Sequence, residues 1–109
     1  MDKILELSLL YDFYGELLTE HQRDIYRDAV YEDLSLSELS EQYGITRQGI
    51  HDLIKRCDKA LGEYENKLHL VDKFMNINNI AHEIRIEINK TEPDTDVIKE
   101  LTDKILNQL

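Results

Sequence analysis

Thr46, Arg47, Gln48, His51, Lys55 and Arg56 are the residues whose types and spacing could do chemistry, and that chemistry is the reading of a nucleic acid. An arginine fork matches guanine O6 and N7, and a glutamine amide pairs in the same bidentate way with adenine N6 and N7. Both contacts are made from the first turn of a helix whose N-terminus enters a major groove. His51, one turn beyond Arg47, can touch a base or the backbone or remain an ordinary exposed histidine, while Lys55 and Arg56 would sit nearer the phosphates. Thr46 either caps the helix or reaches a phosphate, and Gly49 either permits close approach to DNA or is a small residue against a neighbouring helix. The competing reading of the whole stretch is a helical corner of ordinary packing.

Other chemistries lack their residues. There is no Gly-rich phosphate loop, no Gly-x-Ser-x-Gly elbow and no cysteine pair for zinc. His82-Glu83-Ile84-Arg85-Ile86 begins like a zincin helix, but Ile86 stands where the second histidine must be. Cys57 is the single cysteine, so an internal disulfide is excluded, and its place on an apolar seam reads as a small buried hydrophobe. No catalytic residue, cofactor, metal or small-molecule substrate is expected.

The segment that would present these side chains is residues 36–56, LSELSEQYGITRQGIHDLIKR. A helix-turn-helix needs two short helices crossing steeply, which restricts particular positions. Leu39 is a core residue, Ser40 is small where the helices touch, and Ala would be its more usual occupant. Gly44 fills the turn, where a positive φ is needed. Ile45 plugs the space between the helices, and Ile50 and Leu53 hold the second helix on the core.

The surrounding elements read as helices throughout. Four Gly and one Pro in 109 residues leave few breaks. Residues 4–18 hold ten apolar residues, with Ile4, Leu7, Leu10, Tyr11, Tyr14, Leu17 and Leu18 on one face and a second stripe of Leu5, Leu9 and Phe13 among acids. That second stripe must meet a later helix, another subunit or a partner protein. Thr19 with Gln22, and Ser35 with Glu38, are two capping boxes. The first opens a helix to about Tyr31 that buries Tyr26, Ala29 and Val30; the second opens a short one with Leu36, Leu39 and Tyr43 inward. After Thr46, the residues Ile50, Ile54, Cys57, Leu61, Tyr64, Leu68 and Val71 make a heptad-like seam for an intrachain hairpin or a dimer, with Gly62 a local weakness. Ile77, Ala81, Ile84 and Ile88 mark a further helix; Pro93 breaks the chain; Thr95 is the expected cap of a last helix carrying Ile98, Leu101, Ile105 and Leu109. The expected fold is all-α: a helical bundle containing a helix-turn-helix, with long C-terminal helices. Residues 1–71 form the helix-turn-helix domain, and 72–109 an extension packing on it or on a dimer partner.

Charge restrains the nucleic-acid reading. The chain carries a net −10, distributed as −8 over residues 1–45, +2 over 46–59 and −4 over 60–109. The recognition segment is the single positive window, and its flanks oppose DNA within a Debye length of roughly 8 Å. A monomer would bind weakly and need two half-sites. No charge-free stretch is longer than the nine residues 74–82, and Met1-Asp2-Lys3 shows no leader, so a cytoplasmic protein that avoids membranes is expected.

Several separated motifs agree in order and spacing with one family. Leu18-Thr19-Glu20-His21-Gln22-Arg23, Tyr31-Glu32-Asp33-Leu34-Ser35-Leu36, Ile45-Thr46-Arg47-Gln48, Ile54-Lys55-Arg56, Tyr11-Asp12-Phe13-Tyr14, and Tyr64-Glu65 followed by Lys67-Leu68-His69-Leu70 resemble the YlxM-type helix-turn-helix proteins of Gram-positive bacteria. The resemblance covers residues 10–74. The middle stretch is similar, more distantly, to region 4 of sigma factors, which contacts promoter DNA. Gly49 and His51 depart from the Ala and Tyr expected there. The resemblance implies a regulatory or accessory role beside the signal recognition particle, whose GTPase gene tends to neighbour the family's genes.

Two functions follow. One is a DNA-binding regulator that dimerises through the Ile50 to Val71 seam or the terminal helices. The other is a non-catalytic adaptor of the protein-targeting machinery that keeps the helix-turn-helix shape and docks components of the signal recognition particle through Leu5, Leu9 and Phe13 or the last helix.

Overall fold

A computed structural model describes residues 3–109. Met1 and Asp2, read above only for the absence of a leader, lie outside the described residues. Six α-helices and one 3₁₀ turn account for the secondary structure among them: α1 (Lys3–Tyr14), the 3₁₀ turn (Gly15–Leu17), α2 (Glu20–Val30), α3 (Leu36–Tyr43), α4 (Arg47–Leu68), α5 (Leu70–Ile88) and α6 (Thr95–Gln108). The fold is therefore all-α. None of the described helices is long and apolar enough to cross a membrane. The chain divides into two compact units, one ending at His69 and the other running from Leu70 to Leu109.

In the first unit α4 is the spine, packed by α1, α2 and α3. Its apolar seam packs there: Ile50, Cys57 and Leu61 are fully buried and Leu53 nearly so, against a core of Tyr14, Ile25, Tyr26 and Leu39. These four residues of the seam are thus used within the chain, whereas Ile54 and Tyr64 are half-buried and Leu68 is 52% exposed. The seam also ends earlier than its periodicity suggests. His69 takes a left-handed conformation (φ 56°) and closes α4 by donating its backbone N–H to the Glu65 carbonyl, so Val71 belongs to α5.

Both capping boxes form. Thr19 and Gln22 exchange reciprocal bonds at the start of α2, and Ser35 and Glu38 do the same at α3, satisfying N–H groups that the first turn leaves open. The first helix is shorter than its apolar run, because the backbone tightens to 3₁₀ at Gly15. Leu36 is exposed rather than inward, and Ala29 and Val30 are only half-buried, their place in the core taken by Ile25.

Four tyrosines brace this unit through carboxylates. Tyr14 donates to Glu65 at 2.6 Å, Tyr26 to Asp58 at 2.6 Å and Tyr31 to Asp12 at 3.0 Å, while Tyr43 donates to Asp28. Burial, helped by the Asp58 bond, holds the Tyr26 hydroxyl far above the ordinary phenol range. The Asp28 bond, with some burial, pushes Tyr43 up to about 12.

The second unit is a hairpin of α5 against α6. Pro93 does break the chain, but the cap of α6 is Asp94, whose Oδ1 accepts from the Asp96 N–H at 2.9 Å; Thr95 is the first helical residue. Asp94 wins because its carboxylate also favours the positive end of the helix dipole.

Candidate nucleic-acid interface

The turn between α3 and α4 is built by backbone chemistry. Gly44 has φ 66° and ψ 31°, a conformation a Cβ would strain, and its N–H donates to the Ser40 carbonyl at 3.0 Å. Ile45 donates to the same carbonyl at 3.3 Å, and the Ser40 hydroxyl returns a bond to the Ile45 carbonyl. That return bond is why Ser serves where Ala would also fit: it satisfies a turn acceptor that packing leaves partly buried.

Thr46 then caps α4, its hydroxyl accepting from the Gly49 N–H at 3.0 Å, so capping is the role the geometry assigns it. Gly49 is small for a local reason. A Cβ there would lie 2.8 Å from Ile45 Cγ2 and 3.1 Å from Thr46 Oγ1, inside the turn itself.

The remaining candidates emerge from the first three turns of α4. Arg47, Gln48, Lys55 and Arg56 are exposed, and His51 is half-buried. Arg47 leans back on α3, its Nη1 lying 3.4 Å from the Ser37 hydroxyl oxygen. Gln48 donates to Asp52 at 2.9 Å. The His51 imidazole is 44% exposed, yet its Nδ1 is shielded from solvent and lies 3.6 Å from the Asp52 carboxylate, beyond hydrogen-bond reach.

Asp52 is the residue the sequence reading passed over. It stands one turn after Gln48, a spacing at which a glutamine amide and an aspartate meet on a helix, so the signal was present. Its carboxylate places a negative charge between Gln48 and the Lys55-Arg56 pair. To reach a guanine edge Arg47 must leave the Ser37 hydroxyl, and Gln48 must exchange its bond to Asp52 before it can reach an adenine.

Behind this surface, Asp28 is buried and accepts from Tyr43 and from Gln42 Nε2 at 3.4 Å, with Arg27 Nε 3.6 Å away. This network locks α2 to α3 and fixes the platform from which α4 projects. Burial pushes the Cys57 thiol up to about 11, so it stays protonated and inert at neutral pH. Of the apolar stripe on α1, Leu5 is 47% and Phe13 38% exposed, whereas Leu9 is half-buried.

A short helix and a long one joined by a left-handed glycine turn, with the second helix projecting polar side chains, define a helix-turn-helix protein. A family described as "Putative helix-turn-helix protein, YlxM / p13 like" matches residues 1–105, and the chain belongs to it. Among its relatives, a UPF0122 protein of Clostridium botulinum is 42% identical over 104 residues, covering 92% of this chain and 95% of the relative. Another, from Clostridium perfringens, is 40% identical over 109 residues, covering 100% and 97%. A third, from a Thermoanaerobacter species, is 43% identical over 101 residues, covering 90% and 86%.

Proposed function

We propose that this chain is a cytoplasmic DNA-binding regulator that reads the major groove with the first turns of α4. The observation that carries the reading is the juxtaposition of exposed Arg47 and Gln48 at the N-terminus of α4, directly after the glycine turn and within the one positive window of an acidic chain. Thr46 positions the helix, Lys55 and Arg56 supply phosphate contacts further along it, and His51 lies beside the Gln48–Asp52 pair. The small positive excess makes affinity modest, with a salt slope limited by the few phosphate contacts, and so directs binding to paired half-sites about 34 Å apart.

Selection from random duplexes with purified protein at low salt tests this directly. An enriched motif is expected, with Arg47→Ala costing about 1–3 kcal/mol and relaxing one base position. Lys55→Ala should weaken all sequences alike and lower the salt slope by about one. Recovery of no enriched sequence overturns the reading.

A second reading rests on the α1 stripe. Leu5 remains 47% exposed, and a net charge of −10 suits a basic protein partner better than a polyanion. On this reading the chain is an adaptor of the protein-targeting machinery that docks a component of the signal recognition particle. Leu5→Asp would abolish capture of that component while leaving helicity unchanged; unimpaired capture removes the reading.

A further inference from the structure

Asp52 is the single acid of residues 46–57, a stretch whose charged side chains are otherwise Arg47, Lys55 and Arg56. A surface that only neutralised phosphates would gain nothing from a carboxylate at its centre. Nor does α4 need one there. An acid favours the helix dipole within the first turn, and Asp52 stands in the second.

The core fixes where Asp52 faces. Ile50, Leu53, Cys57 and Leu61 are the buried positions of α4. At about 100° per residue, Gln48, Asp52, Lys55 and Lys59 fall within about 35° of the line opposite them. All four are exposed. Gln48 and Asp52 therefore lead the outermost ridge of the helix, with two lysines behind them.

One oxygen of the Asp52 carboxylate is engaged. Oδ1 accepts from Gln48 Nε2 at 2.9 Å and lies 3.6 Å from His51 Nδ1, too far for a hydrogen bond. Oδ2 has no partner among the described residues, and the side chain is 52% exposed. Arg47 and Gln48 must each leave a partner before they can touch a base; Oδ2 is free already.

An ionised carboxylate can only accept hydrogen bonds. The floor of a major groove offers it two donors, cytosine N4 and adenine N6, whereas guanine O6 and N7 and thymine O4 are acceptors that repel it. Adenine N6 stands beside the acceptor N7, so a carboxylate meets attraction and repulsion there together. Cytosine N4 has no acceptor beside it on its own base.

We infer that Asp52 selects cytosine, its free Oδ2 accepting from the N4 amino group in the major groove. The inference rests on the DNA-binding reading proposed above and assigns a base that the reading leaves open. Gln48 and Asp52 are four residues apart, about 6 Å along the helix axis. With base pairs stacked about 3.4 Å apart, the cytosine lies about two base pairs from the position that Gln48 contacts.

Selection from random duplexes at low salt, by the wild type and by Asp52→Asn, tests this. Asparagine keeps a carbonyl oxygen to accept from Gln48 and replaces the other oxygen with a donor, so the exposed site retains its fold and its internal bond. The wild-type motif should contain a cytosine whose exchange for any other base weakens binding about tenfold. In Asp52→Asn that preference should vanish or move to adenine, while the other positions of the motif stay as they were. Should Asp52→Asn fail to fold, Asp52→Ala gives the same comparison, with the cytosine preference lost and none gained. A motif that either folded variant leaves intact overturns the inference while the DNA-binding reading stands. An equal gain in affinity for all duplexes, with base preferences unchanged, overturns it too, since Asp52 would then act as a repelling charge alone. Enrichment of no sequence by the wild type removes the DNA-binding reading and this inference together.

Discussion

The two units are built from the same materials, amphipathic helices rich in Leu, Ile, Glu and Lys, yet they resolve the burial problem differently. Unit one surrounds α4 with three helices, so its long seam finds partners on several sides and Ile50, Cys57 and Leu61 reach full burial. Within unit two each helix has one partner, and two cylinders in contact cover only a strip of one another. Helix count, not composition, separates a closed core from an open face. The closed unit is the one that carries the candidate interface, where Arg47 must be held at fixed geometry on a rigid support.

The largest effect that separates the units is a truncation in each. Leu61→Ala, at a fully buried position of α4, should destabilise the protein by about 2–5 kcal/mol in denaturant unfolding. Leu106→Ala, at a position 61% exposed on α6, should change the same measurement by no more than about 0.5 kcal/mol at concentrations where the chain is monomeric. Comparable losses at the two positions would mean that the hairpin has a core of its own, and the contrast drawn here would fall.

A smaller effect probes what makes unit one rigid. Below pH 10 the Tyr43 phenol is protonated in both folded and unfolded chains; between 10 and about 12 only the unfolded chain loses its proton, so stability falls as pH rises through that window. Tyr43→Phe should cost about 1–2 kcal/mol at neutral pH, because buried Asp28 loses a donor, and should make the alkaline decline shallower. Tyr26 sustains the remaining decline, its hydroxyl being held by burial and Asp58 still further above the phenol range. An unchanged alkaline slope in Tyr43→Phe would remove the Asp28 bond as its source.

These braces also mark where sequence reading stops. Thr19 with Gln22, Ser35 with Glu38, and Gly44 were legible because their chemistry is completed within three or four residues of backbone. The Tyr14–Glu65 and Tyr26–Asp58 bonds join residues 51 and 32 positions apart, a separation at which spacing carries no information. The end of α1 escaped because its apolar periodicity continues through Leu17 and Leu18 after the helical backbone has tightened. Asp94 displaced Thr95 as a cap in a stretch where either side chain could serve. The exposed residues of the candidate interface were readable as a set. Their present partners, Ser37 for Arg47 and Asp52 for Gln48, were not read, although the second lies at helical spacing.

The smallest expected effect sharpens the comparison inside α4 itself. Gly62 lies mid-helix with nothing within 4 Å of where a Cβ would stand, and the helix runs through it from Arg47 to Leu68 without a break. Gly62→Ala should therefore stabilise unit one by about 0.5–1 kcal/mol, the propensity difference alone. Gly49→Ala on the same helix should gain less or lose stability, since its new methyl would press on Ile45 Cγ2 at 2.8 Å in the turn that aims Arg47. Thermal melts of the two variants decide the matter: equal gains would show that the turn yields freely, and that Gly49 does not set the angle at which α4 leaves α3.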